Sequence, residues 1–369
     1  MPENNQTTIL ALKHRRAVQN RLLKWFDGKR RNLPWLEHGT AYHIWVSEIM
    51  LQQTQIATVI DYYKRFIKKF PSVKKLAAAD IESVLKLWEG LGYYRRARQL
   101  HKAAGIIVAE HGGEFPNDFD DVMALPGVGR YTAAAILSIS ADQPHAILEG
   151  NTVRLFSRLM ALKEDTTKTS SQNQLWSFSH ELLPKHRAGD FNQALMDFGR
   201  EICKPKQPLC QDCKIASHCL AYIQGLQNDI PVRGKKMQYE DLHEAIILIK
   251  RNGKYLMRKC QPGQRWAGLW DFPRAEIAGQ MPEIEIAESI TLQTGLDTNI
   301  QSLQKTIKHA VTKYRIRLDC FDAVSVSGRL KTNSNFAWKT KREISQLPLS
   351  TTGRKFSDLF VNEENGRQK

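Results

Sequence analysis

The sequence predicts an all-helical N-terminal domain followed by an α+β domain. Up to about residue 225, apolar residues recur at helical spacing between short Gly/Pro breaks, as in residues 81–92 and 131–141. Beyond residue 240 the pattern changes. Residues 244–259 form two β-type runs around an Asn-Gly turn, and residues 314–324 alternate like a half-buried strand. Residues 283–296 supply a helical pattern between these strands.

A polar stretch separates the two domains. Residues 226–240 are mostly polar or charged and contain Pro231 and Gly234, as is typical of an exposed linker. We therefore place the helical domain at residues 1–225 and the second domain at residues 241–369. The length of 369 residues is sufficient for two or three domains.

The composition favours a polyanionic partner. The chain has 54 Lys and Arg against 38 Asp and Glu, a formal net charge of +16. Basic and aromatic residues are interleaved in residues 61–70 and 92–102, a mixture that can bind phosphate and stack on bases. The alternative is a basic, solvated surface whose aromatic residues belong to the core. Because no signal-peptide pattern and no long apolar run occur, we expect no membrane span.

Four of the six cysteines lie close together in the sequence. Cys203, Cys210, Cys213 and Cys219 follow the spacing C-x6-C-x2-C-x5-C. Four thiolates at this spacing can ligate one soft metal centre, either structural zinc or a 4Fe–4S cluster, and the spacing leaves both open. A single cluster of this kind indicates a reducing compartment rather than a disulfide framework.

Two glycines mark a tight turn between helical stretches. Gly127 and Gly129, in LPGVGRYTAAA, allow close approach of a partner and leave N–H groups exposed at the start of the next helix. Any tight helix–helix turn could use the same glycines. The small-residue helix that comes after them favours a helix–hairpin–helix motif, which binds the DNA backbone without reading its sequence.

Two carboxylates lie at breaks in the apolar pattern. The apolar stripe of residues 45–60 fails at Gln52 and Gln53, one turn after Glu48. Glu149 closes an apolar run and precedes a glycine and a new amphipathic segment. Glu48 could be an exposed acid on a surface helix, and Glu149 a helix N-cap. Either could instead be a catalytic acid held by rigid elements.

The chain resembles the adenine DNA glycosylase (MutY) family of the endonuclease III-like helix–hairpin–helix superfamily. The motifs are SEIMLQQTQ, WEGLGYYRRAR, LPGVGRYTAAAILS, GNTVRLFSRL, the cysteine spacing, GLWDFP and LPLSTTGRKF, which together cover nearly the whole chain. The resemblance implies a mainly α helix–hairpin–helix glycosylase domain with a 4Fe–4S loop, followed by an α+β Nudix-like domain. The helical domain would divide into a six-helix part at about residues 40–150 and an iron–sulfur part formed by residues 1–39 and 151–225.

The resemblance implies a base-excision-repair enzyme, a hydrolase that removes adenine mispaired with 8-oxoguanine or guanine. Its partner would be double-stranded DNA with a mismatch, and its cofactor a 4Fe–4S cluster held by the four cysteines. The protein would be a monomer in the bacterial cytoplasm, associated with the nucleoid. Aligned on Gly295, the Nudix box R-E-x-x-E-E-x-G lacks its metal-binding glutamates, because the chain has Glu288, Ser289, Leu292 and Gln293 there. Recognition of the opposite base is therefore the expected role of the second domain.

Individual residues match the family's functional positions. Glu48 matches the acid that protonates adenine at N7 and later activates water. Glu149 would be the ionised carboxylate facing C1′, and Asn151 would orient the acid or the water. Tyr131 stands where bifunctional relatives carry a Schiff-base lysine, so the resemblance implies little or no strand-cleaving lyase activity. The implied DNA-binding residues are Gln53, Tyr93, Gly127, Gly129 and Arg130.

Several positions depart from the family pattern. Glu149 replaces Asp, and the extra methylene moves the carboxylate by up to ~1.5 Å, where a misplacement near 1 Å can cost ~10²-fold in rate. Leu36 replaces the Arg of LPWR, and Gln193 replaces the Glu of FNEAL. The family's Phe-Ser-His loop, which reads 8-oxoguanine, becomes Val followed by Thr312 and Lys313. We therefore expect weaker discrimination between 8-oxoguanine and guanine opposite adenine.

The sequence leaves two other functions open. A glycosylase of the same fold could act on another base, such as thymine opposite guanine, because Leu36 and Gln193 alter the base pocket. A catalytically weak mismatch-binding protein would result if Glu149 no longer works. The presence of Glu48 and Tyr131 argues against the second alternative.

Overall fold

The computed structural model forms two compact units. It describes residues 14–29, 32–232, 234, 238–278, 282–301, 303–311, 313–332 and 335–360. Unit 1 is built from Met1–Ala78 and Gln99–Lys235, and unit 2 from Ala79–Arg98 and Lys236–Lys369. The sequence-based division did not anticipate that Ala79–Arg98 associates with the C-terminal part.

The described residues of the N-terminal part form helices joined by turns and loops, without a strand, which confirms the predicted fold class. Its helices are α1 Arg15–Asp27, α2 Pro34–His38, α3 Ala41–Leu51, α4 Ile56–Lys69, α5 Val73–Ala77, α6 Ile81–Leu87, α7 Arg95–Glu110, α8 Phe119–Ala124, α9 Arg130–Ala141, α10 Gly150–Met160, α11 Thr169–Leu182, α12 Ala188–Glu201 and α13 Leu220–Ile223. Two short 3-10 turns, Cys210–Asp212 and Ala216–His218, come after α12.

Four helices of unit 1 surround a common apolar core. Leu22 of α1, Phe156 of α10, Leu175 of α11 and Phe198 of α12 are fully or almost fully buried there. Ile215, which lies between Cys213 and Cys219, packs into the same core. The cysteine loop is therefore anchored to the helices that carry the candidate site residues.

The helix break predicted at the two glutamines is present. Helix α3 ends at Leu51, α4 begins at Ile56, and Gln53 has a left-handed backbone with a φ of 56°. Residues 44–50 of α3 are all buried. Glu48 therefore lies inside unit 1, and its interpretation as an exposed acid is wrong.

Unit 2 contains a mixed sheet and three C-terminal helices. The strands are β1 Glu240–Arg251, β2 Lys254–Lys259, β3 Trp270–Asp271, β4 Arg274–Glu276, β5 Leu296–Ile300, β6 Lys305–Val311, β7 Tyr314–Gly328 and β8 Phe336–Lys339. The helices are α14 Pro282–Thr294, α15 Lys341–Gln346 and α16 Thr351–Phe360.

The sheet is organised around the parallel pair β1 and β7. Strand β7 also pairs antiparallel with β5 and β6, and β2 pairs antiparallel with β1, β3 and β8. Asn252 and Gly253 join β1 to β2 with φ values of 51° and 72°, as a two-residue turn requires when both positions are left-handed. One face of the sheet packs on Ile286 and Ile290 of α14, and the other packs on Phe356 of α16.

The predicted linker is only partly exposed. Ile230 is 2% exposed, and Arg158 donates a hydrogen bond to its carbonyl at 2.9 Å, so this part of the stretch packs on unit 1. Residues 233 and 235–237 lie outside the described residues. Within the described ranges, none of the helices combines the length and the apolar character needed to span a bilayer.

Candidate active site and cysteine loop

A cavity in unit 1 brings the four predicted catalytic residues together. Its walls come from α2, the α3–α4 break, α9, the start of α10 and one face of α12. The predicted residues that line it are Glu48, Tyr131, Glu149, Asn151, Leu36 and Gln193.

Glu48 is held by a single side-chain hydrogen bond inside this cavity. The Tyr131 hydroxyl donates to Oε2 of Glu48 at 2.9 Å. Burial raises the pKa of Glu48 to about 7, the Tyr131 hydrogen bond opposes this increase, and the charge of Glu149 adds to it. Glu48 can therefore exist as a neutral acid near neutral pH. Burial also raises the pKa of Tyr131 well above its ordinary value, so its hydroxyl stays protonated.

Glu149 is both a helix cap and a wall of the cavity. Its carboxylate accepts hydrogen bonds from the backbone N–H groups of Asn151 and Thr152 at 2.9 and 3.0 Å, and Thr152 Oγ1 accepts from the Glu149 N–H. These bonds form the capping box of α10. Burial raises the pKa of Glu149, while the cap hydrogen bonds and the nearby Arg154 lower it. The N-cap interpretation thus describes the local structure and does not exclude a catalytic one.

A buried arginine fixes the orientation of Asn151. Arg154 donates to Oδ1 of Asn151 at 3.0 Å, and Nδ2 of Asn151 donates to Glu149 at 3.1 Å. The same guanidinium donates to the carbonyls of Gly199 and Cys203, both at 2.6 Å. The amide group beside Glu149 is therefore connected through one side chain to the first residue of the cysteine loop.

Helix α12 contributes three residues that the sequence reasoning missed. Met196, Asp197 and Arg200 follow the predicted Gln193 at helical spacing and line the cavity with it. Gln193 donates to the carbonyl of Gly189 at 3.2 Å, and Arg200 forms an ion pair with Asp197. The signal was a polar stripe at i, i+3, i+4 and i+7. Arg154 could likewise have been found from its position one turn after Asn151.

The glycine turn between α8 and α9 has the backbone that the motif requires. Gly127 has a φ of 83°, and a Cβ there would lie 2.9 Å from the Cβ of Gln99. Gly129 is exposed and caps α9, and a Cβ at this residue would meet no atom within 4 Å, so its backbone is accessible. The Arg130 guanidinium stacks 3.9 Å from the ring centroid of Trp176.

The remaining predicted contacts are exposed where they are described. Gln53 is exposed at the α3–α4 break, and Tyr93 is 52% exposed with a φ of 48°. Lys313 lies in the turn after β6, where Nζ donates to Glu240 at 2.7 Å. Thr312 lies outside the described residues.

The four predicted metal ligands line one cavity. Its other walls include Leu155, Leu159 and Ile202, and Arg158 donates to Sγ of Cys203 at 3.2 Å. Among the described residues, no group of three or more His, Cys, Asp or Glu is arranged to hold a metal ion.

Both parts of the chain match known protein families. Residues 46–181 match HhH-GPD, the superfamily of base excision DNA repair proteins, and residues 244–359 match the NUDIX domain. A solved thermostable thymine-DNA glycosylase has a TM-score of 0.53 and 28% identity, covering 57% of this chain and 98% of its own.

Relatives with curated names match over about two thirds of the chain. The adenine DNA glycosylase of Mus musculus is 40% identical over 70% of this chain and 51% of its own length. The adenine DNA glycosylase of Buchnera aphidicola subsp. Schizaphis graminum (strain Sg) is 38% identical over 68% of this chain and 73% of its own length. The chain thus spans about half the length of the mouse relative and almost three quarters of the bacterial one.

Proposed function

Because this chain belongs to the adenine DNA glycosylase family, we propose that it hydrolyses the N-glycosidic bond of adenine mispaired with 8-oxoguanine or guanine in double-stranded DNA. The observation that carries the proposal is the cavity in which a neutral acid, Glu48, and a helix-capping carboxylate, Glu149, lie together. Removal of a base needs both a proton donor for the leaving group and a negative charge near the sugar.

The two carboxylates differ in their hydrogen bonding, which assigns their roles. Glu149 accepts three hydrogen bonds from donors on Asn151 and Thr152, and these stabilise its ionised form. Glu48 accepts one, from Tyr131, and is otherwise surrounded by buried residues of α3. The first proton therefore goes to Glu48, which acts as the acid, and Glu149 is the anion.

The proposed reaction begins when the adenine leaves the base stack, which costs a few kcal/mol. Glu48 donates its proton to N7 of adenine, and the C1′–N9 bond breaks with its electron pair going to the base. The Glu149 carboxylate stabilises the positive charge that develops on the sugar. Water then adds to C1′, and its proton returns to Glu48. Asn151, held by Arg154, orients the Glu149 carboxylate throughout.

Tyr131, the hydrogen-bond partner of Glu48, determines whether the DNA strand stays intact after base release. Tyr131 presents a phenol where a lyase would need an amine to form a Schiff base with C1′. The product is therefore an abasic site in an intact strand.

The cysteine loop is the proposed site of a 4Fe–4S cluster. Four thiols that line one cavity can hold a soft metal centre, and the family resemblance implies a 4Fe–4S cluster instead of a zinc ion. Cys203, Cys210, Cys213 and Cys219 would hold it. When bound, the cluster supplies covalent bracing of the loop, whose carbonyl at Cys203 accepts from Arg154.

The second domain is proposed to recognise the base opposite the adenine. Gln293 and Ser289 stand on α14 in the region of the Nudix box, where their side chains hydrogen-bond to each other at 2.9 Å. Neither can bind Mg²⁺ as a carboxylate would. Lys313 in the β6–β7 turn, together with Thr312, is the proposed contact to the opposite base.

The test is adenine release from a duplex with one A:8-oxoguanine pair, with the DNA analysed before and after alkali. We expect free adenine and strands that break only after alkali treatment. Glu48→Gln is the matched inactive control, because it keeps the shape of the side chain and cannot donate the proton. Breakage before alkali would contradict the role of Tyr131, and absence of adenine release would overturn the proposed activity.

A further inference from the structure

Two acidic residues outside the cavity connect the turn that carries Tyr93 to the Nudix-like domain. Ala79–Arg98 belongs to unit 2, together with strands β1 to β8. This segment contains α6, the turn that carries Tyr93, and the first residues of α7. Its bonds to the C-terminal part of unit 2 concentrate on Glu82 and Glu89, which take no part in the reaction described above.

Glu89 forms a bidentate ion pair with Arg354. Arg354 of α16 donates to Oε1 through Nε at 2.5 Å and to Oε2 through a terminal nitrogen at 3.2 Å. The Glu89 side chain is only 14% exposed and also accepts from Lys86 at 2.9 Å. Arg354 is fixed in turn by the carbonyl of Leu347 at 2.9 Å. A bidentate pair of this kind specifies one relative orientation of its partners.

Glu82, which lies on α6 before Glu89 in the chain, makes a second contact. Its Oε1 accepts from Nζ of Lys259 on β2 and from Nε1 of Trp270 on β3, the latter at 3.3 Å. The Lys259 ammonium also lies 5.6 Å from the centre of the Trp270 ring. Glu82 is therefore bound to strands β2 and β3, and Glu89 to helix α16, of the same domain.

The turn after Glu89 is itself rigidly built. The Tyr94 hydroxyl donates to the carbonyl of Leu349 at 3.3 Å and accepts from the N–H of Gly90 at 3.1 Å. Arg96 is buried, and its guanidinium lies 5.5 Å from the centre of the Trp88 ring and 5.4 Å from that of Tyr93. The Arg96 guanidinium therefore packs against the exposed Tyr93 ring, whose residue has a left-handed backbone.

We propose that Glu82 and Glu89 are positioning residues that fix the Tyr93 turn on the Nudix-like domain, so that this turn and the β6–β7 turn meet DNA as one body. The inference rests on the proposed function, in which Tyr93 contacts DNA and Lys313 lies at the opposite base. Loosening the contact alters recognition of the opposite base and leaves the chemistry at Glu48 intact.

The first experiment measures amide hydrogen exchange of residues 88–94 in the DNA-free holoprotein. Arg354→Ala removes both prongs from Glu89, and we expect exchange in this turn to become about tenfold faster, as for the loss of a charged hydrogen bond. Arg342→Ala on α15, an exposed arginine of the same domain, is the matched control and should leave the turn unchanged. Unchanged exchange in Arg354→Ala would overturn the proposal.

The second experiment measures single-turnover adenine excision on A:8-oxoguanine and A:guanine duplexes. We expect Arg354→Ala to change the ratio of the two rates by about tenfold and to leave the slower rate nearly unchanged. Arg354→Lys, which keeps the positive charge, should restore part of the ratio. Equal changes on both duplexes would contradict a positioning role.

A separate variant covers the case in which Arg354→Ala does not fold. Glu82→Gln acts at the less buried contact, where the carboxyl is 30% exposed, and should give the same direction of change in both experiments. If the wild-type protein releases no adenine, the proposed function fails. The exchange experiment still decides whether the two acids hold the turn, because it needs neither DNA nor activity.

Discussion

Replacing Glu48 by Gln should abolish excision and stabilise the protein at alkaline pH. Glu48 is 6% exposed, and its pKa is about 7 instead of 4.5. The difference of 2.5 units (7 minus 4.5) corresponds to ~3 kcal/mol at about 1.36 kcal/mol per unit. The folded state therefore disfavours the ionised form of Glu48 by this amount relative to the unfolded chain.

The sign of the pH dependence is set by the raised pKa. Because the folded protein holds the proton more tightly, the contribution of Glu48 to stability is fully present below about pH 4.5. It is lost as the pH rises through 7, where folding has to bury an anion. The amide of the Glu48→Gln variant does not titrate. The wild-type protein should therefore lose up to ~3 kcal/mol relative to this variant between about pH 4.5 and 8.

Urea unfolding of both proteins at pH 5, 6, 7 and 8 measures this difference. Glu110→Gln, at an exposed acid at the end of α7, is the control and should give a difference that does not vary with pH. If the difference between Glu48→Gln and wild type is also constant with pH, Glu48 is ionised throughout. The carboxyl could then not protonate adenine near neutral pH, and the proposed mechanism would be refuted.

Tyr131, Glu149, the cysteine loop and the β6–β7 turn each give a further prediction. Tyr131→Phe removes the hydrogen bond that lowers the pKa of Glu48, so the alkaline limb of the single-turnover rate profile should move to higher pH; a shift to lower pH would contradict this. Glu149→Ala should cost ~1 kcal/mol in urea unfolding through loss of the α10 cap, and also abolish excision; retained excision would exclude Glu149 as the stabilising anion. Cys210→Ser should lower the iron content of the purified protein, and an unchanged content would remove this residue from the ligand set. Because residues 311–313 are Val-Thr-Lys, replacing them with Phe-Ser-His should widen the difference in single-turnover excision between A:8-oxoguanine and A:guanine duplexes, and an unchanged difference would contradict weaker discrimination in this chain.

Features set by neighbouring residues were predictable from the sequence. The Asn-Gly turn required two left-handed residues, and Asn252 and Gly253 adopt them. The failure of the apolar stripe at Gln52 and Gln53 marked the end of α3, because a helix that lost its buried face had no packing to continue it. The separate roles of Glu48 and Tyr131 came from family resemblance, and their hydrogen bond was not predicted, since the two residues are far apart in the chain.

Features set by contacts between distant residues were not predictable. Nothing in residues 81–92 indicates that Glu82 and Glu89 bind Lys259 and Arg354, because charges on a helix are ordinarily solvated. The sequence also presented the cap and the catalytic role of Glu149 as alternatives. The structure has the cap, and its geometry leaves the same carboxylate in the cavity wall.

The cap at the start of α10 has a practical consequence for trapping the protein on damaged DNA. Residues at reacting centres commonly destabilise the fold that carries them, and their removal yields a more robust protein. Glu48 obeys this rule, because it is an acid in a buried environment. Glu149 differs, although burial raises its pKa as well, because its carboxylate also caps a helix that carries Asn151 and Arg154. A substrate-trapping variant for crystallography should therefore be made at Glu48. An inactive variant at Glu149 would also loosen the start of α10, which lines the cavity proposed to bind the DNA.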